Sequence, residues 1–255
     1  GTDEAVKVNL PAKRVQVGEP HSGDTAWWSS DDQSYADVRL TRTVEVPAGS
    51  DVRFWSWNDY VIEELWDYGF IEVSTDGENW TQPKVFDEDG NMVSTDDDPN
   101  GNLAGLFGDL ENGLTGTTGG YRHDYVQLTP YAGSTIQLRL RYLTDPAFEE
   151  RGWFADDFSV TADGTTVWSD GVEDGLNGWA ADPGTMTDTT GNGWVQTSGT
   201  FDYEQYYLAE WRNFDGYDNG LRTPYATNWV TSEDEWNVTR LDVEAFFLAY
   251  DPERA

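Results

Sequence analysis

The sequence predicts an all-β protein, an antiparallel jelly-roll β-sandwich followed by a second, smaller β-domain. Apolar and polar residues alternate over short runs, most cleanly where Ile136, Leu138, Leu140 and Tyr142 face one way and Gln137, Arg139 and Arg141 the other. Turn chemistry such as Pro47-Ala48-Gly49 and Asp76-Gly77 separates these runs. A helical period is confined to 243–249.

Taken in order, residues 1–20 place Val6, Val8, Leu10, Val15 and Val17 at strand spacing interrupted by Pro11, which suits an edge or linker strand. Residues 36–46 alternate with Val38, Leu40, Val44 and Val46 on one face, and 52–57 form the next strand. A strand over 66–74 runs into the Asp76-Gly77 turn, which sends the chain back antiparallel. Residues 85–120 are a long Gly/Asp/Asn-rich connection, too polar for core and longer than most loops of compact domains. Short strands follow at 152–160, 165–168, 193–197 and 206–211.

The chain has 255 residues, enough for one large or two modest domains. Its formal charge of −33, from 48 acidic and 15 basic residues, repels nucleic acid phosphates and anionic lipid. Lys7, Lys13 and Lys84 are its lysines, and this balance suits a protein bathed in high salt or an acidic secreted one. Cysteine is absent, so staples, if needed, would be metal ions. No stretch is apolar enough for a spanning helix, and the start lacks a basic and an apolar leader region, so the chain reads as soluble and as mature or a fragment.

The chemistry-bearing features are carboxylates. Asp59, Glu63, Glu64 and Asp67 are interleaved with Trp55, Trp57, Tyr60, Trp66 and Tyr68, and carboxylates among large rings need a cation or donors. Ca2+, a hard cation that takes oxygen ligands, answers that need. Asp96, Asp98 and Asn100 followed by Gly101 reproduce the first half of an EF-hand-type loop, but its twelfth position is Phe107, leaving Asp109 as a later closing ligand. A solvated acidic loop is the plainer alternative. Zinc-protease chemistry needs the H-E-x-x-H arrangement, whereas this chain carries only His21 and His123. A cysteine nucleophile and a G-x-S-x-G elbow are also missing, so catalysis by this chain is not expected. Glycosidase-type acid pairs identify nothing among so many carboxylates. Asn79-Trp80-Thr81 and Asn237-Val238-Thr239 are glycosylation sequons. The 13 tryptophans are explained mostly by packing, with stacking on sugars the alternative for exposed ones.

Several words of the sequence, in order, resemble a known family. They are Ala26-Trp27-Trp28-Ser29, Glu63-Glu64-Leu65-Trp66-Asp67-Tyr68-Gly69-Phe70, Val73-Ser74-Thr75-Asp76-Gly77 and Leu140-Arg141-Tyr142-Leu143-Thr144-Asp145. Gly152-Trp153-Phe154-Ala155-Asp156-Asp157, Tyr207-Leu208-Ala209-Glu210-Trp211-Arg212-Asn213 and Asp215-Gly216-Tyr217-Asp218-Asn219-Gly220-Leu221 continue the series. They resemble the region downstream of the catalytic domain in immune inhibitor A-like secreted zinc metallopeptidases. The catalytic domain itself has no counterpart here, and residues 239–255 depart from the glycine-rich continuation of the family.

The resemblance implies an N-terminal linker strand over 1–19, a MAM-like jelly roll over 20–164 and a second β-domain over 165–255, joined near Asp163-Gly164. It implies a secreted, non-catalytic, calcium-stabilised region without catalytic Zn2+, partnered by the peptidase's catalytic domain or by an extracellular glycan or protein. An extracellular carbohydrate-binding or adhesion module is the alternative. In jelly rolls of this type the last strand supplies an oxygen to structural calcium, which makes Asp156 the leading ligand, with Asp31 and Asp32 in a loop able to approach it. Simple alternation puts Asp156 on the core face with Phe154, Phe158 and Val160. Pairing of Asp156 with Arg139 or Arg141, or a bulge exchanging Asp156 and Asp157, are the alternatives.

Overall fold

A computed structural model describes residues 5–30, 34–182, 193–210, 226–232 and 235–240. Its strands are β1 (Ala5–Asn9), β2 (Lys13–Gln16), β3 (Ala26–Trp28), β4 (Asp37–Glu45), β5 (Val52–Ile62), β6 (Tyr68–Ser74), β7 (Val85–Asp87), β8 (Gly116–Thr117) and β9 (Arg122–Gln127). They continue as β10 (Thr135–Leu143), β11 (Gly152–Ala162), β12 (Thr165–Asp170), β13 (Trp179–Asp182), β14 (Val195–Thr197), β15 (Thr200–Tyr203), β16 (Tyr206–Glu210), β17 (Ala226–Ser232) and β18 (Glu235–Arg240). Asn102–Leu106 forms a single π turn and Thr129–Tyr131 a 3-10 turn. The expected all-β class is what the structure has. The helical period at 243–249, together with Asp31 and Asp32, lies outside the described residues.

Two antiparallel sheets carry the core. One has the order β13-β4-β10-β6; the other runs β14-β3-β11-β5-β9-β7, with β12 on β11 and β8 on β5. In the first sheet Leu140 lies opposite Leu40 on one side and Ile71 on the other. Val38, Leu40, Val44 and Val46 point inward as the alternation predicts. They meet Phe54, Trp153, Phe158 and Val160 of the second sheet in one apolar cluster. Burial alternates without a break along all of β5, so the 52–57 strand extends to Ile62. Each inward side chain there leaves water for a packed interior, worth roughly 1.5–3 kcal/mol for a large apolar residue.

The chain divides into two compact units, residues 14–203 and residues 1–13 with 204–255. The first holds the sandwich. In the second, β1 pairs with β16 and β17 with β18, both antiparallel. Asp163-Gly164, where the sequence suggests a domain join, make the two-residue turn of the β11–β12 hairpin, both with positive φ as such a turn requires. Strands β12, β13 and β14 then pair into the two sheets of the sandwich.

Two expectations change. The 85–120 connection is not wholly peripheral: Val85, Leu103 and Leu114 are buried, and β7 adds an edge strand to β9. Its Asp, Asn and Ser side chains bond local backbone groups, so few apolar residues suffice to dock it. The facing of β11 also changes phase. Its register against β5 slips between Asp156 and Ser159, with Asp157 at φ 45°, so Trp153, Ala155, Phe158 and Val160 all face the main core. Phe154 instead joins Ala26 and Trp28 in a separate cluster.

Leu138 is fully buried at the centre of β10. Leu138→Ala should cost roughly 2–5 kcal/mol in denaturant unfolding, whereas Thr135→Ala, exposed on the same strand, should stay within about 0.5 kcal/mol.

Candidate metal centre

Among the described residues, one group of three acidic side chains converges: Glu63, Asp67 and Asp145, with one carboxylate oxygen from each within 4.8 Å of the others. The β5–β6 connection builds two of them. Trp66 N and Asp67 N both donate to the Glu63 carbonyl, at 3.2 and 3.1 Å, so residues 63–67 make a tight turn, with Leu65 at φ 63° in its middle. The turn brings the Glu63 and Asp67 carboxylates together and leaves Glu64 exposed.

Pairing of β6 with β10 supplies the third. Leu143 lies opposite Tyr68, so the chain leaving β10 runs past Asp67, and Asp145 N donates to Asp67 Oδ1 at 2.8 Å. Asp145 Oδ1 accepts from Ala147 N, and its Oδ2 lies 3.4 Å from Asn102 Nδ2, which also donates to the Trp66 carbonyl. Asn100 Nδ2 donates to the Leu65 carbonyl, and the Tyr68 hydroxyl to that of Asp97. The long connection is thus laced to the acidic turn by its own polar groups.

The electrostatics of this cluster are uncompensated. Asp67 is 1% exposed and its Oδ2 has no hydrogen-bond partner. Burial pushes its carboxyl up to about 8; the Asp145 N–H opposes this, while Asp145, Glu63 and Glu149 add to it. Glu63 is raised by burial and then by Asp145, Glu150 and Glu149. The buried Tyr142 hydroxyl, also without a partner, is raised by burial and by Asp67, Glu149, Glu150 and Glu63. An orphaned buried oxygen among three carboxylates is a donor set for a hard divalent cation, and without imidazole or thiolate it does not suit zinc.

The remaining candidate ligands are elsewhere. Asp156 is buried, but beneath residues 21–22 rather than on the core face. Its Oδ2 accepts from His21 N and Ser22 N at 2.9 and 3.2 Å, and its Oδ1 from Asp157 N at 2.7 Å. Burial first, and then the Asp157 charge, raise its pKa to about 6 against the pull of these N–H groups. Arg139 and Arg141 do not pair with it: they bond Glu72 and Asp37. Asp96 Oδ1 accepts from Asn112 N, and Asp98 Oδ2 from Ala104 N. Burial opposes the Asp98 charge, yet the N–H groups of Ala104, Leu103, Asn102 and Gly101 hold its pKa low. Gly101 has φ 78°, the turning glycine the spacing calls for. Asp109 also takes positive φ, at 64°.

Sequence reasoning singled out Glu63 and Asp67 and missed Asp145. Its signal was its position two residues beyond the cleanest alternating strand, where β6 and the acidic turn must lie alongside. The two histidines flank an indole instead of forming a metal dyad: Trp57 stacks on His21 at 3.9 Å and on His123 at 4.5 Å.

The sequence matches the immune inhibitor A-like MAM domain over residues 2–189. The chain belongs to this family. It is 29% identical over 218 residues to the pre-pro-metalloprotease PrtV of Vibrio cholerae serotype O1, covering 85% of this chain and 20% of that protein. It is 25% identical over 244 residues to Immune inhibitor A of Bacillus thuringiensis subsp. alesti, covering 88% of this chain and 31% of that protein. The chain therefore spans less than a third of the curated relatives it matches. The resemblance drawn from motifs holds, and similarity to the MAM region of these proteases supports a non-catalytic module. No described helix is long and apolar enough to cross a membrane.

In metal-free protein, a carboxyl raised to about 8 in the fold and ionising near 4 when unfolded contributes stability that is fully present below about pH 4 and lost as pH rises through about 8. In chelator at pH 8.5, Asp67→Asn should therefore be more stable than the parent, on the order of 3–5 kcal/mol, with the gap closing toward pH 4. Urea unfolding across that range tests this; a parent as stable at pH 8.5 as the variant would refute it.

Proposed function

We propose that this chain is a non-catalytic β-sandwich region of a secreted metallopeptidase, stabilised by Ca2+ held by Glu63, Asp67 and Asp145. The unpartnered, buried Asp67 Oδ2 is the observation that carries the metal. A bound cation would keep the three carboxylates ionised, offset their mutual repulsion and tie the β5–β6 turn, the end of β10 and the 95–113 connection together. Carbonyls and waters would complete the six to eight oxygens calcium takes.

The role of such a region is to support the protease, by docking on the catalytic domain of the same polypeptide or by engaging its substrate or an extracellular surface. Peptidase chemistry belongs to a part of the protein that supplies the H-E-x-x-H zinc ligands, which this chain lacks. The carbohydrate-binding alternative has less support. Sugar recognition uses open aromatic faces, whereas both faces of Trp57 are covered by His21 and His123, and Trp55 packs on His123 and Tyr125.

Calcium at about a hundred times its Kd should stabilise the chain by about 2.7 kcal/mol, raising the melting temperature by roughly 5–11 °C at this size. Melting in calcium, magnesium and chelator at fixed ionic strength tests this. Asp67→Asn and Asp145→Asn should lose the calcium response, while Asp98→Asn should keep it. Identical curves in calcium and chelator would refute the metal assignment, and zinc-dependent casein cleavage by the purified chain would refute the non-catalytic one.

A further inference from the structure

The two sheets leave an opening on one side. Strand β4 pairs with β10 along its whole length, but on its other edge β13 covers only Arg39–Arg42. Among the described residues nothing pairs with that edge beyond Arg42. Val46 N donates to the Ser134 carbonyl on the β10 side, so the even-numbered residues of β4 bond β10. The N–H and C=O groups of Thr43 and Glu45 consequently point outward, and both residues are exposed.

Facing this edge across the sandwich is β12, which pairs only with β11 among the described strands. Between them lies a cavity of about 500 Å3 lined by Thr43, Val44, Val46, Pro47, Val167 and Trp168, with Arg42 and Glu45 at its polar margin. The Arg42 guanidinium sits 4.5 Å from the Trp168 ring centre and 3.8 Å from Asp170, closing the floor. Val167 is 51% exposed.

We propose that this edge and cavity are a docking site for an extended, basic segment of another polypeptide, which adds a strand to β4. The backbone supplies the recognition: Thr43 and Glu45 offer two donors and two acceptors in strand register. The cavity selects an aliphatic side chain at the residue opposite Val44, because cross-strand neighbours share a face. Residues on either side of it project to the outer face with Thr43 and Glu45, where Glu45 and the chain's charge of −33 favour lysine or arginine. The same charge opposes edge-to-edge pairing of two copies, which would bring Glu45 and its acidic surroundings together.

The test uses the full chain and the probe acetyl-Lys-Leu-Lys-Leu-Lys-amide in two backbone-methylated forms. Methylating the lysine nitrogens removes the donors aimed at β4, whereas methylating the leucine nitrogens alters only the opposite edge. Titration followed by amide NMR should show saturable shifts at Thr43 and Glu45, with the lysine-methylated form about tenfold or more weaker than the leucine-methylated one. Thr43→Pro, which deletes one outward donor without touching the β10 bonds, should weaken binding of the unmethylated peptide, provided melting shows the variant folded. Equal affinity of the two methylated forms would overturn the proposal in favour of charge attraction alone. Shifts confined to other residues, or no saturable binding, would overturn it outright. A dimer in sedimentation without peptide, with Thr43 and Glu45 protected, would assign the edge to a second copy instead.

Discussion

Neutralisation of buried carboxylates is the constraint on which the rest of this structure depends. Among the described residues the chain does not place an arginine beside every acid it buries, and an ionised carboxylate taken out of water without compensation costs several kcal/mol. The fold meets this in distinct ways. Glu72 and Asp37 share Arg139, Arg141 and Arg39 across β6, β10 and β4, with Trp80 stacked 3.7 Å over the Arg139 guanidinium. Asp124 is held by Arg122 and Asn58. Asp170 accepts from Val172 N and Trp179 Nε1, and Asp156 from three backbone N–H groups.

Seen this way, the acidic turn at 63–67 stands apart. At Asp67 the compensation amounts to one backbone N–H, and the nearest charges are Asp145, Glu63 and Glu149, all of the wrong sign. Among the described residues no arginine acts on Asp67, and the proposed cation would supply the missing charge. A cation there would have leverage: Asp67 immediately precedes β6, Asp145 follows β10, and Asn102 joins both to the long connection. A single charge balance at this point therefore bears on three otherwise separate loops.

The sandwich was largely legible in the sequence because its strands are half-buried. Alternation in 36–46 and 136–142 identifies the inward residues directly, whereas Asp163-Gly164, expected at a domain join, is a hairpin turn within the sandwich. The β11 strand was legible in extent but not in facing. Alternation assumes an uninterrupted register, so it places Phe158 and Val160 on the core face but misplaces Phe154 and Asp156, which precede the slip between Asp156 and Ser159. The sequence offered a bulge at Asp156-Asp157 only as an alternative, and the pairing of β11 with β5 decides it. The connection at 85–120 misled for a related reason: its composition is polar, yet Leu103 and Leu114 find apolar partners far away in the chain.

By itself, the sequence determined the β class, the inward faces of its regular strands, the lack of a zinc dyad and the need of Glu63 and Asp67 for a partner. These follow from properties a residue carries with it: side-chain period, turn chemistry, ligand type and the cost of burying charge. Only the tertiary structure decided that Asp145 is the third member of the group, that Asp156 is served by backbone N–H groups, and that half of one edge of β4 is unpaired among the described residues. Each of those depends on which strands lie side by side. Strand neighbours are chosen by packing over long stretches of chain, so no short stretch of sequence records them.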